Sequence, residues 1–201
     1  MIHLKKFKTA LGVGLILAVL LTSSFSSFAA VCKEIRADTL RLHILANSDS
    51  AADQQLKLAV RDAILAEEGE LFSNSADKQD AIRRAEQQLP RIRQIAEQVI
   101  REHGYDYAVT AKVTNLYFAT THYPDTGLTM PAGRYDAVRI EIGAAEGKNW
   151  FCVLFPPLCL PAATEKSEQN YTEEEQMVTE GGYELRFALV EWVEHLREIW
   201  K

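Results

Sequence analysis

Five histidines (His3, His43, His103, His122 and His195) and three cysteines (Cys32, Cys152 and Cys159) are the side chains of this 201-residue chain with the most chemistry to offer. No histidine stands at zinc-ligand spacing from a cysteine or a carboxylate, so the sequence indicates no metal site. Gly-x-Ser-x-Gly, the phosphate-loop pattern and Gly-x-Gly-x-x-Gly are all missing, and Cys152 has no neighbouring histidine in sequence to activate its thiol. Neither an enzyme nor a cofactor is indicated. The stretch "ANSDS" (46–50) contains Asn47, Ser48 and Asp49, residue types that serve catalysis but more often make turns and cap helices. Sulfur chemistry remains. Cys152 and Cys159 are separated by a bend at Pro156 and Pro157, which can bring their α-carbons within the ~4.4 to 6.8 Å of a disulfide. They are either two buried thiols or a bond that closes a small loop, worth about 2 to 3 kcal/mol. Cys32 is then the odd thiol.

The compartment bears on that choice. "MIHLKKFK" places three lysines before the apolar run "ALGVGLILAVLL", and the small residues of "TSSFSSFAA" follow, which is the plan of a secretory signal peptide. Ser27 and Ala29 fit the small-x-small positions before a cut between Ala29 and Ala30. The rival is a retained anchor over residues 9–31, although its apolar core is shorter than the ~20 residues of a spanning helix. Val31 before Cys32 argues against a lipid-attachment site. Removal of residues 1–29 takes away three lysines and no acids, leaving 19 basic against 28 acidic residues, a formal charge of −9. Nucleic acid is thereby disfavoured as a partner, because binding phosphates needs a basic surface. Export favours the Cys152–Cys159 bond over two thiols.

Periodicity supplies the elements. "DTLRLHILANSDS" alternates Leu40, Leu42 and Ile44 with Arg41 and His43, predicting a half-buried strand. Ser50 with Asp53 predicts a helix start, and apolar spacing carries that helix to about Glu67. A second helix is expected from about Ala76 to Glu102, kinked or restarted at Pro90 and closed by Gly104. Strands follow from Tyr107, over 134–143 and over 149–155, with a long Pro/Gly loop at 121–133. The segment 162–182 is acidic and poor in large apolar residues, the composition of a flexible stretch. Residues 183–201 carry Leu185, Ala188, Leu189, Trp192, Leu196 and Ile199 at helical spacing, which predicts an amphipathic helix docked by that stripe. The order β-α-α-β-β-β-α points to an α+β two-layer sandwich behind a signal peptide, one domain whose main part is 30–161, with helices on one face of a small, mostly antiparallel sheet. The other face is expected to be wet, with Arg41, His43, Thr110, Lys112, Arg139 and Glu141 on it.

One strand departs from this plan. "NWFCVLF" is apolar on both faces: Trp150, Cys152 and Leu154 point one way, and Phe151, Val153 and Phe155 the other. The second set needs a cover. It is supplied by the chain itself, by a docking partner, or by a substrate in a cleft, the last being weakest because no acid, base or nucleophile is interleaved with the rings.

Two stretches carry a resemblance. "RLHILANSDSAADQQLKLAVRDAIL" (41–65) and "MPAGRYDAVRIEIGAAEGKNWFCVLFPPLCL" (130–160), in this order behind a signal peptide, resemble the stage II sporulation protein R family of endospore-forming Firmicutes. The resemblance covers residues 38–160 and the last helix; Phe151 stands where relatives are expected to carry Trp, and 162–182 has no counterpart. It implies a protein exported from the forespore into the space between the forespore and mother-cell membranes. There such proteins trigger a membrane-embedded mother-cell protease, stage II sporulation protein GA, which removes the pro-sequence of the early mother-cell sigma factor (pro-sigma-E). On that implication the contact patch is Trp150, Phe151, Phe155, Pro156, Pro157 and Leu158, with Asn47, Ser48 and Asp49 beside it. An exported cell-wall hydrolase would instead gather His43, Asp49 and Glu141 around one point. A membrane-anchored structural protein of the septum would keep residues 1–29.

Overall fold

A computed structural model describes residues 2–123, 127–157, 178–179 and 185–200. The elements are α1 (Ile2–Asp38), β1 (Leu40–Leu45), α2 (Ala51–Ser73), α3 (Lys78–Glu102), β2 (Val109–Phe118), β3 (Thr121–Tyr123), β4 (Leu128–Met130), β5 (Gly133–Ile142), β6 (Asn149–Phe155) and α4 (Leu185–Ile199). The fold is α+β, as the alternation and helical spacing predict. Four strands form one sheet in the order β2-β5-β1-β6, and β3 pairs with β4 in a separate hairpin. The sheet is mixed, because β1 runs parallel to β5 while β2–β5 and β1–β6 are antiparallel.

Local chemistry starts and stops the helices. Ser50 caps α2, its Oγ accepting from the Asp53 amide at 3.1 Å, and Asp77 caps α3 by accepting from the Asp80 amide at 2.7 Å. α2 continues to Ser73, beyond the expected end near Glu67. α3 runs through Pro90 without interruption. Pro90 is exposed, so the carbonyl that loses its amide partner faces water. Gly104, with φ +83°, follows the cap residue His103 and ends the helix.

Two cores result. On one face Leu40, Leu42 and Ile44 of β1 and Val138, Ile140 and Ile142 of β5 pack under the apolar sides of α2 and α3. The other face is only half wet. Thr110 and Lys112 are exposed and Arg139 and Glu141 half-buried, but Arg41 has no exposed surface and His43 is 8% exposed. The roof over them is the end of α1, through Ile35, and the β3–β4 hairpin, through Met130, packed on Phe118, Tyr135, Ala137 and Val153. Sequence alternation shows polar residues on that face but not the 121–133 segment folding back as a hairpin. It also does not show α1 running unbroken past the expected cut at Ala29–Ala30 to Asp38.

α1 packs on α4 through Phe28 and Cys32 against Phe187 and Val190, with the Phe28 and Phe187 rings edge-on at 5.1 Å. The expected cut between Ala29 and Ala30 therefore falls inside a continuous helix, one residue beyond a buried ring. Cys32 in this seam is fully buried and free, and burial pushes its thiol up to about 11. In the intact chain at pH 8, Cys32 is expected to resist maleimide until denaturant is added, as read by mass spectrometry of the labelled protein. Rapid labelling of the native chain would mean the α1–α4 seam is open.

α4 is docked, but not by the stripe expected from its spacing. Phe187 and Val190 face inward at 1% and 4% exposure, whereas Leu189 (52%), Trp192 (62%) and Ile199 (65%) face solvent. Ion pairs explain the inward face: Glu194 meets Arg36 of α1 at 3.4 Å and Glu198 meets Arg134 of β5 at 2.7 Å. Val178 and Thr179, from the segment expected to be flexible, are packed: Thr179 is fully buried and Val178 touches both smaller cores.

Candidate functional site

β6 lies at the edge of the four-stranded sheet and pairs with β1 from Leu45↔Asn149 to Leu40↔Phe155. The register slips between Leu40 and Arg41, where three residues of β6 answer two of β1. Such a bulge turns the rest of the strand over. Phe155 accordingly packs with Leu154 on the α2–α3 side, not beside Phe151 and Val153 as strict alternation predicts. Cys152, Val153 and Leu154 are buried, while Trp150, Phe151 and Phe155 are half-buried. Arg61 of α2 lies over the Trp150 ring at 5.0 Å. Of the three covers open to this strand, the chain itself supplies most, leaving the flanks of three aromatic rings accessible. Pro156 and Pro157 are buried, and Leu158 and Cys159 lie outside the described residues.

The "ANSDS" loop follows β1 and interlocks with the turn between β5 and β6. Asn47 Oδ1 accepts from the Ala144 amide at 2.9 Å and Asp49 Oδ1 from the Lys148 amide at 2.6 Å. In return the Glu146 and Gly147 amides donate to the carbonyls of Asn47 and Ala46. Behind them Asp53, 5% exposed, accepts from Ser48 Oγ at 2.5 Å and from Asn47 Nδ2 at 3.0 Å, and these bonds hold its carboxyl below the ordinary range. Gly143, at φ +57°, sits where a Cβ would overlap the Asn47 side chain. The Asn-Ser-Asp-Ser residues therefore build a frame at the Asn149 end of β6. Phe155, Pro156 and Pro157 lie at the other end, about 20 Å away along six strand residues. The expected patch is divided between the two ends.

Sequence reasoning missed two arginines. Arg36 donates from Nη1 to the Ala132 carbonyl at 3.0 Å, and a Cβ on Gly133 would run into its side chain; the Pro-Ala-Gly segment is the socket for α1. Arg41, inside the roofed half of the sheet, places its guanidinium carbon 4.2 Å from the Phe118 ring centre, 4.9 Å from Tyr135 and 5.3 Å from Phe151. One nitrogen donates to the Tyr123 hydroxyl at 2.6 Å, and Nε and Nη1 have no partner among the described residues. A strand position alternating with leucines reads as solvent-facing, so only the roof reveals this cage.

His43 lies beside it, facing Phe118 at 5.6 Å and Phe151 at 6.4 Å. Burial, foremost, lowers its pKa from the ordinary 6.5; Arg139 and Arg41 act in the same direction, against a hydrogen bond that the ring donates to the Asn149 side chain. The unfolded chain then binds a proton near pH 6.5 that the folded chain refuses, so stability is full above that pH and falls as pH drops below it. Thermal unfolding from pH 7.5 to 5.5 is expected to show this loss, and His43→Phe to flatten it. An unchanged slope in the variant would assign the acid limb to other groups.

The residues a hydrolase would gather are committed elsewhere. Glu141 accepts from Thr110 at 2.7 Å and pairs with Arg139 at 2.7 Å, and Asp49 holds the Lys148 amide. Among the described residues no group of three His, Cys, Asp or Glu side chains is placed to hold a metal, and no helix is long and apolar enough to cross a membrane.

Comparison with known proteins bears on this arrangement directly. The family model described as stage II sporulation protein R matches residues 36–165, a span that includes the Arg36 socket, the interlocked loops and β6. Stage II sporulation protein R of Bacillus subtilis (strain 168) is 34% identical over 182 residues, covering 78% of this chain and 80% of that relative. No solved structure matches. The match runs through every segment that builds the frame, and the chain belongs to the stage II sporulation protein R family.

Proposed function

We propose that this protein is an exported signal: made in the forespore, moved to the space between the two membranes, it activates the membrane-embedded protease stage II sporulation protein GA, which then processes pro-sigma-E. The observation that carries this reading is the family match across the frame. Support comes from the use to which the motif residues are put, since Asn47, Asp49, Ala132 and Gly133 all hold β6 and α1 in place. A ligand works by presenting a fixed surface to its receptor, and aromatic rings commonly anchor such contacts. Trp150 and Phe151, half-exposed beside the interlocked loops, are the proposed anchors; Phe155 forms a second, separate contact at the far end. A Cys152–Cys159 bond would hold the Phe155–Leu158 tip, and export behind residues 1–29 would provide the oxidising compartment it needs.

Purified protease, its precursor substrate and the exported domain test the reading together. Processing is expected only when the domain is added. It should weaken in Trp150→Ser, with circular dichroism and urea unfolding checking that the fold is retained, and reductant should weaken it if the tip matters. A protease equally active without the domain would sink the proposal.

A further inference from the structure

The outward face of α4 has a composition unlike the rest of this acidic chain. Its exposed apolar residues are Leu189, Trp192 and Ile199, with Trp200 just past the helix end at 86% exposure. The other exposed positions are Arg186, His195 and Arg197, and no carboxylate is among them. At 3.6 residues per turn the apolar set spans a sector of roughly 100°, with His195 on one margin and Arg186 and Arg197 on the other. Two of the three helix acids point the opposite way, Glu194 to Arg36 and Glu198 to Arg134, and the third, Glu191, is half-buried past His195. Arg197 shares Glu194 at 2.7 Å, yet keeps 65% of its side chain exposed.

We infer that α4 is a membrane-surface helix that lays this stripe into the headgroup boundary of an anionic bilayer. The partner is identified by chemistry. The exposed positions of the helix are apolar, arginine or histidine, on a domain that would carry −9 once residues 1–29 are removed, so Arg186 and Arg197 give this one face a local positive edge that suits anionic headgroups. Tryptophans suit the interface, having an apolar body and a polar edge. The docking of α4 fits this use, since its inward ion pairs leave the stripe uncovered while fixing the helix to the sheet. α1 and α4 run side by side in the same direction, Phe28 at Phe187 and Arg36 at Glu194. A leader that crossed the bilayer would hold α4 upright; the flat seat belongs to the exported protein with its leader removed or lying along the surface. Binding of this kind would confine the signal to the two membranes that bound its space; it rests on the export half of the proposed function and not on activation of the protease.

The test reads α4 itself, because the leader has its own exposed apolar residues, among them Leu15 and Ile16. Protein collected from a secreting host, in a Trp150→Phe background, is mixed with vesicles of phosphatidylglycerol and brominated phosphatidylcholine, and quenching of Trp192 and Trp200 is recorded. Quenching is expected with anionic vesicles, is reduced by salt, and is lost with pure phosphatidylcholine. Leu189→Ser with Ile199→Ser, both at exposed positions, should weaken partition by about tenfold or more while circular dichroism is unchanged. Absence of quenching overturns the inference. So does a blue shift of Trp192 on adding the protease in lipid-free detergent with no response to vesicles, which would make the stripe a protein contact.

Discussion

Gly147→Ala is expected to destabilise the domain by at least about 3 kcal/mol, the upper range for forcing atoms into a packed site. The reason is local and steric. A Cβ on Gly147 would overlap the backbone carbonyl of Ser48 and come 2.9 Å from the Ala46 Cβ. Neither neighbour is a flexible side-chain tip, and Ser48 is held between Asn47 and Asp49, whose side chains bond the Ala144 and Lys148 amides. Relief would require the two loops to separate, which breaks the Gly147–Ala46 and Glu146–Asn47 backbone bonds together. Against a typical total stability of about 5 to 15 kcal/mol, that is a large fraction. Gly104→Ala is the control. Gly104 has φ +83° but open space around it, so it should lose only the left-handed backbone cost of about 1 kcal/mol. Urea titrations of both variants would settle the comparison; equal losses would show that the loop lock yields easily. In the proposed signal, loosening the lock displaces Trp150 as well, so Gly147→Ala should also lower protease activation more than Gly104→Ala.

Arg41 gives the second large effect, with a sign that depends on the replacement. Arg41→Met is expected to be at least as stable as the native protein, and Arg41→Ala less stable than Arg41→Met by about 2 to 5 kcal/mol, the usual cost of truncating a buried Met-sized side chain. The guanidinium is fully buried with two nitrogens unpartnered among the described residues, so desolvation is repaid only through the aromatic rings and Tyr123. A flexible apolar side chain of similar length fills the same space without that cost, as buried charges replaced by hydrophobes often show. If Arg41→Met were strongly destabilised, the cage would be contributing more than it loses by desolvation, and the cation–π contacts would have to be stronger than the ~2 kcal/mol assigned to desolvated cases. Thermal and urea unfolding of the three proteins at one pH distinguish the outcomes.

These expectations draw on features of unequal visibility. The caps at Ser50 and the stop at Gly104 are local chemistry, readable wherever the residue types occur, and they stand where the sequence puts them. The loop lock is half-legible. Asn, Ser and Asp announce a turn, but their partners 143–148 lie about a hundred residues away, and nothing in either stretch names the other. The proposed contact patch is less legible still, because one bulge at Leu40/Arg41 turns Phe155 away from Phe151. A period-two pattern carries no mark of where an extra residue enters the ladder.

The sequence by itself determined the elements, because strand alternation and helical spacing are properties of neighbouring residues: β1, β5, β6, α3 and α4 could be drawn from it, and so could family membership through the 41–65 and 130–160 stretches. Tertiary structure alone decided what each face meets. It set β1 parallel to β5, roofed Arg41 and His43 with α1 and the β3–β4 hairpin, and turned the apolar stripe of α4 to solvent while its glutamates faced inward. Periodicity states that a face is apolar; whether that face is buried depends on contacts between segments far apart in the chain, which no local pattern encodes.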